Sequence, residues 1–462
     1  MRLFADRALL GDGWGRNVVL DMDAAGLITG IKPDITTPPA DAQRLGGPVL
    51  PGMPNLHSHA FQRAFAGCSE RRGPDEDSFW TWRKVMYDFA ARITPDQVQS
   101  IAEQLYVEML KAGYTAVAEF HYLHHDANGE PYAKLTEMSD RIFAAANTTG
   151  IALTHLPVLY GYGGFGGQPA TAGQRRFIND IERYATLLET LFAHYGKQPN
   201  ARIGIAAHSL RAVTPESLRE AVQLINRLDD SAPIHIHIAE QKKEVDDCLA
   251  WSGQRPVTWL FDNADIDERW CLVHATHLDD KEIQALAASR AVAGLCPTTE
   301  ANLGDGLFPA IEYQRRGGTF GIGSDSHISV SAVEELRTLE YGQRLLHRRR
   351  ALLANLSHSV GASLYRDALR GGAQALGLAA GGLAVGRRAD LVVLDPETPA
   401  LINKPDDLLL DAVVFAGNVN PVKDVMVAGQ WRIVDGHHLL EEEIFGRFKQ
   451  TQRQVGNGSI GS

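Results

Sequence analysis

Cysteine is scarce in this chain of 462 residues: Cys68, Cys248, Cys271 and Cys296 stand far apart, with no close-spaced pair. Such spacing does not support a disulfide framework and fits reduced thiols in a reducing compartment. Long apolar runs are missing too. No uninterrupted stretch is long enough to span a bilayer, and the first residues, Met1 to Gly13, show neither a long apolar core nor a small-residue cleavage site. A cytoplasmic protein with no membrane partner and no signal peptide is expected. Basic charge is also in short supply, 45 Lys and Arg against 56 Asp and Glu, for a net charge of -11 and a pI near 5.9. The basic residues are scattered rather than striped, which argues against a nucleic-acid partner. An acidic protein that binds an acid must therefore place a few arginines locally.

What the chain does have is a repeated alternation of apolar strand-like runs and helical patterns. Its length suggests one large domain with an accessory one. Residues 1–50 alternate short apolar runs with Gly and Asp turns, the pattern of a small antiparallel sheet. From Pro51 eight strands are predicted, centred on Met53 to His59, Tyr114 to His121, Ile151 to Tyr160, Arg202 to His208, Ile234 to Ala239, Trp270 to His274, Ala291 to Cys296 and Thr319 to Gly323. The helix before the second strand carries Thr94 as cap, Pro95 at the first helical position and Gly113 past the end. Eight such units predict an α/β fold with a (β/α)₈ barrel over residues 51–380, functional groups sitting at the carboxyl ends of its strands. Residues 387–395, 413–415 and 425–434 read as strands again. With residues 1–50 they predict a small β-sandwich domain, 1–50 plus 381–440, followed by a C-terminal helix and a disordered tail, 441–462. The glycine-rich segment Gly161 to Gly167 reads as either a lid or a slack loop.

The first strand ends in His57-Ser58-His59. Alternate strand residues share a face, so both rings can reach one ion. With 17 His in 462 residues such a pair arises by chance about 0.6 times, so alone it proves little. It does not stand alone. His235, His237 and Glu240 close the fifth strand, His274 the sixth, and Ser324-Asp325 the eighth, each where the barrel places chemistry. Three imidazoles and a carboxylate form the donor set that zinc or ferrous iron accepts. Of the two fifth-strand histidines, His237 lies nearer the carboxyl end, and its spacing to Glu240 suits a ligand followed by a proton-transfer group.

These motifs resemble the amidohydrolase superfamily, in its deaminase branch, over nearly the whole chain. The likeness rests on His-x-His on the first strand, His-x-x-Glu on the fifth, His on the sixth, Ser-Asp on the eighth, and Ala-Asp-Leu-Val-Val-Leu-Asp at 389–395. Within that branch the run from Leu50 to Arg63 is similar to enzymes that deiminate a formimino derivative of glutamate. The resemblance implies a divalent ion held by His57, His59, His237 and Asp325. Binuclear relatives bridge two ions with a lysine on the fourth strand, but no lysine occurs between Lys197 and Lys242. One Zn²⁺, or another divalent transition metal such as Fe²⁺, is therefore expected per chain. In the family's scheme Asp325 and His274 orient and deprotonate water, and Glu240 carries a proton to the departing nitrogen. A small dicarboxylic amino-acid substrate is implied, with Gln62, Arg83, Tyr122 and His208 around it. Arg211, three residues past His208, is placed for one carboxylate. A homodimer is also expected. Two other readings remain: a deaminase of guanine- or triazine-like rings, against which two arginines count, and a non-catalytic scaffold, which loss of ligands would mark.

Overall fold

Apolar runs bounded by turn residues become strands, and a computed structural model, describing residues 1–70 and 78–456, gathers them into two sheets. The first fifty-one residues supply β1 (Arg2–Leu10), β2 (Gly13–Met22), β3 (Ile28–Lys32), β4 (Gln43–Arg44) and β5 (Val49–Pro51). The middle of the chain supplies β6 (Met53–Ser58), β7 (Tyr114–His121), β8 (Ala152–Leu159), β9 (Ala201–Ile203), β10 (Ile205–Ser209), β11 (Ile234–Ile238), β12 (Trp270–His274), β13 (Val292–Leu295) and β14 (Thr319–Ile322). Four more follow: β15 (Leu391–Leu394), β16 (Val422–Val427), β17 (Gln430–Val434) and β18 (His437–His438).

The middle strands pair in parallel in chain order, with helices between them, and form the (β/α)₈ barrel. Every residue of β6, β7, β8, β11, β12 and β13 is buried, as expected where helices cover one face and side chains fill the other. The fourth strand is split into β9 and β10 at Gly204, whose N–H donates to the His155 carbonyl at 3.0 Å. A Cβ there would stand 2.4 Å from the Pro233 carbonyl oxygen, so only glycine lets the chain pass. Gly323 does the same where the barrel closes: a Cβ would meet that of His57 at 2.7 Å. Because the eighth strand comes so close to the first, the Asp325 N–H donates to His57 O at 3.0 Å and the His59 N–H to Asp325 O at 3.2 Å. Barrel closure thus brings Asp325 to the two first-strand histidines. The helix Pro95–Lys111 starts in the expected way, with reciprocal bonds between Thr94 and Gln97 of 3.0 and 3.4 Å.

Strands from both termini form the second sheet, a continuous one of nine strands, in which β15 pairs antiparallel with β5. Its alternating residues face two ways. Leu391 and Val393 join Leu3, Leu20 and Met426 in a separate apolar cluster, whereas Val392 and Leu394 join the barrel core. The run 425–434 is a hairpin turning at Ala428 and Gly429 rather than a single strand. Val413, Val414 and Phe415, predicted to be a strand, belong instead to a helix, Asp406–Phe415. Leu409, Leu410, Val413 and Val414 recur at helical spacing and are buried, and the helix packs on Ala332–His347 and Val360–Leu376. The β-branched pair misled the sequence reading because its partners four residues back were not counted. The final helix ends at Gly456, where the disordered tail was expected to begin; residues 457–462 lie outside the described residues.

Four histidines, His121, His124, His125 and His155, cluster beside β7 and β8, and burial lowers all four. For His155, burial and then the neighbouring His124 push the imidazole down to about 3. Unfolded, it takes a proton near 6.5; folded, it stays neutral down to about 3. Its contribution is therefore present above pH 6.5 and lost as pH falls toward 3, at roughly 1.4 kcal/mol per pH unit. Thermal unfolding at saturating metal should show a midpoint that drops from pH 6.5 to 4.5, with a shallower drop for His155→Gln. An identical slope in the two proteins would remove His155 from that account.

Candidate active site

At the carboxyl end of the barrel, Nε2 of His57, His59 and His237 and Oδ1 of Asp325 come together. All lie within 4.8 Å of one another, and all four residues are buried. His57 Nε2 stands 3.2 Å from that of His59, 3.0 Å from that of His237 and 3.4 Å from Asp325 Oδ1, while His59 and Asp325 are 3.3 Å apart. Donors around tetrahedral zinc at its usual bond lengths would be separated by about 3.3 Å. The hydrogen bonds behind the rings lead to the same conclusion. His59 Nδ1 donates to Phe120 O at 2.8 Å and His237 Nδ1 to His208 O at 3.0 Å, and a carbonyl can only accept. With the proton fixed on Nδ1 in the neutral ring, both Nε2 lone pairs face each other and a carboxylate. Such an arrangement is repulsive without a cation, so the donor set fits a metal ion. His235, the other fifth-strand candidate, points away and meets Ala375 O at 2.8 Å.

Beside this set stands His274, whose Nε2 is 3.7 Å from Glu240 and 3.8 Å from Asp325, and whose Nδ1 is 3.3 Å from Glu300. Burial opposes a charged imidazole, but the carboxylates of Glu240, Glu300 and Asp325 outweigh it and raise His274 to about 10. Burial raises the Glu240 carboxyl to about 7, against the pull of His274 and Arg211. Asp325 is also buried, yet the hydrogen bond and charge of His57, with those of His274 and His59, hold it well below the usual carboxylate range. Ala239, His274, Ala275 and Asp325 all adopt left-handed backbone angles, φ +50, +67, +49 and +44. That conformation costs of order 1–3 kcal/mol per residue and collects where function over-determines geometry. Two further groups, His274 with Cys296 and Asp325, and Glu240 with His274 and Asp305, also meet the spacing for a metal, but both share His274, which already faces the carboxylates of Glu240, Glu300 and Asp325.

Gln62, Arg83, Tyr122, His208 and Arg211 line one cavity with His59, His237, Glu240, His274 and Asp325. Gln62 donates to the Tyr122 hydroxyl at 2.8 Å. His208, held neutral by burial and then by the charges of Arg211 and Arg83, packs 4.3 Å from the Tyr160 ring. Arg83 is not a solvated helix charge: it donates to the hydroxyls of Tyr160, at 3.1 Å, and Tyr87. Among the described residues no carboxylate pairs with it. Arg211 is buried and donates through Nε to Ser209 Oγ at 3.3 Å, while its Nη1 makes no hydrogen bond and lies 3.9 Å from Glu244. Both guanidiniums, with Lys243, lie over the Trp80 ring at 5.6 to 5.8 Å. Arg83 without a carboxylate partner and Arg211 with one only at ion-pair distance, its Nη1 still free of a hydrogen bond, fit a ligand with carboxylates.

Residues 49–432 match the amidohydrolase family, and residues 1–44 match the N-terminal domain of formimidoylglutamate deiminase HutF. The chain belongs to the amidohydrolase family. A formimidoylglutamate deiminase of Pseudomonas aeruginosa is 57% identical over 451 residues, 97% of this chain and 98% of that one. An 8-oxoguanine deaminase of the same species is 27% identical over 84% of this chain and 82% of its own length. The crystal structure of an amidohydrolase from Brucella melitensis superposes with a TM-score of 0.92 at 50% identity, covering 98% of this chain and 99% of that one.

Several residues of the amidohydrolase site were not found by the sequence reading. Phe79, Trp82, Met86 and Tyr87 line the cavity from the helix Phe79–Ala90, which roofs it, and Tyr160 and Phe177 join them. Tyr160 directly follows the third strand, so the strand-end rule would have found it. The aromatic run around Arg83 was a signal as well. Glu300, which faces His274, carries no local signal, since it sits on a short helix after the seventh strand. The glycine-rich segment is neither a lid over the cavity nor slack. Gly161 and Tyr162 donate to Ala212 O at 2.8 and 3.1 Å, Phe165 stacks on Trp251, and no residue from 161 to 167 lines the cavity.

Proposed function

We propose that this protein hydrolyses N-formimino-L-glutamate to N-formyl-L-glutamate and ammonia, a step of histidine degradation; its 57% identity to a formimidoylglutamate deiminase supports the reading. The observation that carries this reading is that Arg83 and Arg211, neither with a carboxylate in hydrogen-bond contact, face the same cavity as the metal donors and the acid–base groups. Each planar fork suits one substrate carboxylate. Gln62, Tyr122 and His208 contribute polar contacts between them.

His57, His59, His237 and Asp325 would hold one Zn²⁺, or another divalent ion such as Fe²⁺, which supplies Lewis acidity that brings the pKa of water to about 7. The water oxygen attacks the formimino carbon. Asp325 and His274 orient the water but do not deprotonate it as the resemblance implies, because His274, raised to about 10, keeps its proton and Asp325, held well below the usual carboxylate range, is a poor base. Glu240, with a carboxyl near 7, takes the water proton and passes it to the imino nitrogen. That turns the imino nitrogen into an amino group on a tetrahedral carbon. A second transfer through Glu240, of the proton left on the former water oxygen, completes ammonia, and as the carbonyl forms the carbon–nitrogen bond breaks, so that no amide ion has to form. The cavity is narrow, ≈ 50 Å³, room for a few waters.

The test is ammonia release from N-formimino-L-glutamate and, in parallel, from guanine-like rings. Release from the formimino compound alone is expected; release from the rings alone would replace this reading with ring deamination. Metal analysis gives a further check. About one zinc or similar ion per chain is expected, with activity lost on exhaustive chelation and restored by re-addition. Two tightly held equivalents, or full activity after chelation, would contradict the ligand assignment.

A cytoplasmic homodimer is inferred as well. No described helix is long and apolar enough to cross a membrane, and Leu345, Leu346 and Leu356 expose apolar surface of the kind subunits bury. Sedimentation at micromolar concentration should give twice the chain mass.

A further inference from the structure

We propose that Glu244, which neither ligates the metal set nor lines the cavity, is a positioning residue that fixes both the backbone bearing Glu240 and the guanidinium of Arg211. The inference deepens the deimination reading above and rests on it.

Strand β11 ends at Ile238, and the chain then turns through Ala239 at φ +50, a conformation alanine disfavours. The turn is what aims Glu240 into the cavity instead of up the strand. It is held by the Glu244 carboxylate, on the first turn of the helix Lys242–Ser252: Oε1 accepts the Ala239 N–H at 3.2 Å and Oε2 the Glu240 N–H at 3.3 Å. Two N–H groups side by side call for two acceptor oxygens. An amide would set an NH₂ against one of them, and an aspartate is a methylene too short.

Glu244 is fully buried, so its charge must be met locally. The partner is Arg211, with Nη1 3.9 Å from Oε2. Ser209 Oγ accepts from Nε of the same guanidinium. Arg211 is thus oriented from two sides while Nη1 keeps its hydrogen-bonding capacity free. One carboxylate therefore sets the spacing between the group that reads a substrate carboxylate and the group that moves the proton. The turn has other supports, Ala275 N–H to Ile238 O at 3.1 Å and His277 N–H to Ala239 O at 3.0 Å, so removing Glu244 loosens it without unfolding the strand end.

The experiment is a double-mutant cycle of Glu244→Ala with Arg211→Met, with Glu244→Gln as the conservative variant and metal content as the check on folding. Two readouts are used: kcat and KM for ammonia release from N-formimino-L-glutamate, and calorimetric affinity for glutarate, a dicarboxylate that needs no turnover. Glu244→Ala should lower kcat about tenfold or more in both Arg211 backgrounds, because that effect runs through Glu240. It should raise KM and the glutarate Kd about tenfold only where Arg211 is present. Glu244→Gln should fall between. An equal KM and Kd shift in both backgrounds, or an unchanged kcat, overturns the proposal. If the wild type releases no ammonia from this substrate the deimination reading fails, and glutarate still decides: a Kd shift confined to the Arg211 background supports the positioning of Arg211, and no such shift overturns it.

Discussion

Glu240→Gln is expected to keep its metal and lose ammonia release by on the order of 10²-fold or more. The amide preserves the shape of the side chain but cannot take a proton from water or give one to the leaving nitrogen. No neighbour replaces it in the reading proposed here. Asp325 is held well below the usual carboxylate range and already belongs to the donor set, and His274 is raised to about 10 by the carboxylates around it, so neither matches neutral pH as a carboxyl near 7 does. Glu240 is not one of the four donors, so metal content should equal that of the wild type. Near-normal turnover in this variant would return Glu240 to the bland role of an acidic residue just before a helix, favoured there by the dipole. Loss of metal alongside activity would mean that the substitution disturbs the strand end itself.

The barrel strands and their rim were legible in the sequence because parallel strands are apolar throughout and their carboxyl ends interrupt that texture with polar residues. His57, His59, His237, His274 and Asp325 each end such a run, and barrel closure at Gly323 brings them together. The roof was harder to read. Phe79, Trp82, Met86 and Tyr87 lie on a helix whose apolar face lines a cavity while also packing on the core, and periodicity does not distinguish the two. Glu244 and Glu300 were illegible for another reason. A carboxylate in the first turn of a helix has an ordinary explanation, and only the fold shows that each is buried against a particular partner, the Ala239–Glu240 backbone in one case and His274 in the other. Val413 and Val414 show the opposite failure, where residue preference for strands outweighed a helical pattern that extends back to Leu409.

Arg211→Met is the variant that tests what the cavity recognises. Arg211 is buried, and its Nη1 lacks a hydrogen-bond partner, so a substrate carboxylate would complete its coordination rather than compete for it. Removing the guanidinium leaves that carboxylate poorly solvated in a buried site, at a cost of roughly 2 to 5 kcal/mol in transition-state binding. At 1.4 kcal/mol per tenfold change, this is a loss in kcat/KM of about 30-fold to several thousand-fold. Arg211→Lys keeps the charge but not the planar fork and should fall between. Methionine also leaves the buried Glu244 carboxylate without its ion-pair partner, so the variant should melt earlier, and activity has to be compared at a temperature where both proteins are folded. The outcomes separate cleanly when ammonia release is measured with the formimino amino acid and with a neutral ring. An active wild type whose Arg211→Met variant is unimpaired would leave Arg83 as the principal carboxylate reader, since its guanidinium faces the same cavity between two tyrosine hydroxyls. A wild type inactive on the formimino compound would reject the substrate assignment itself, because a neutral ring has no carboxylate for either arginine to hold.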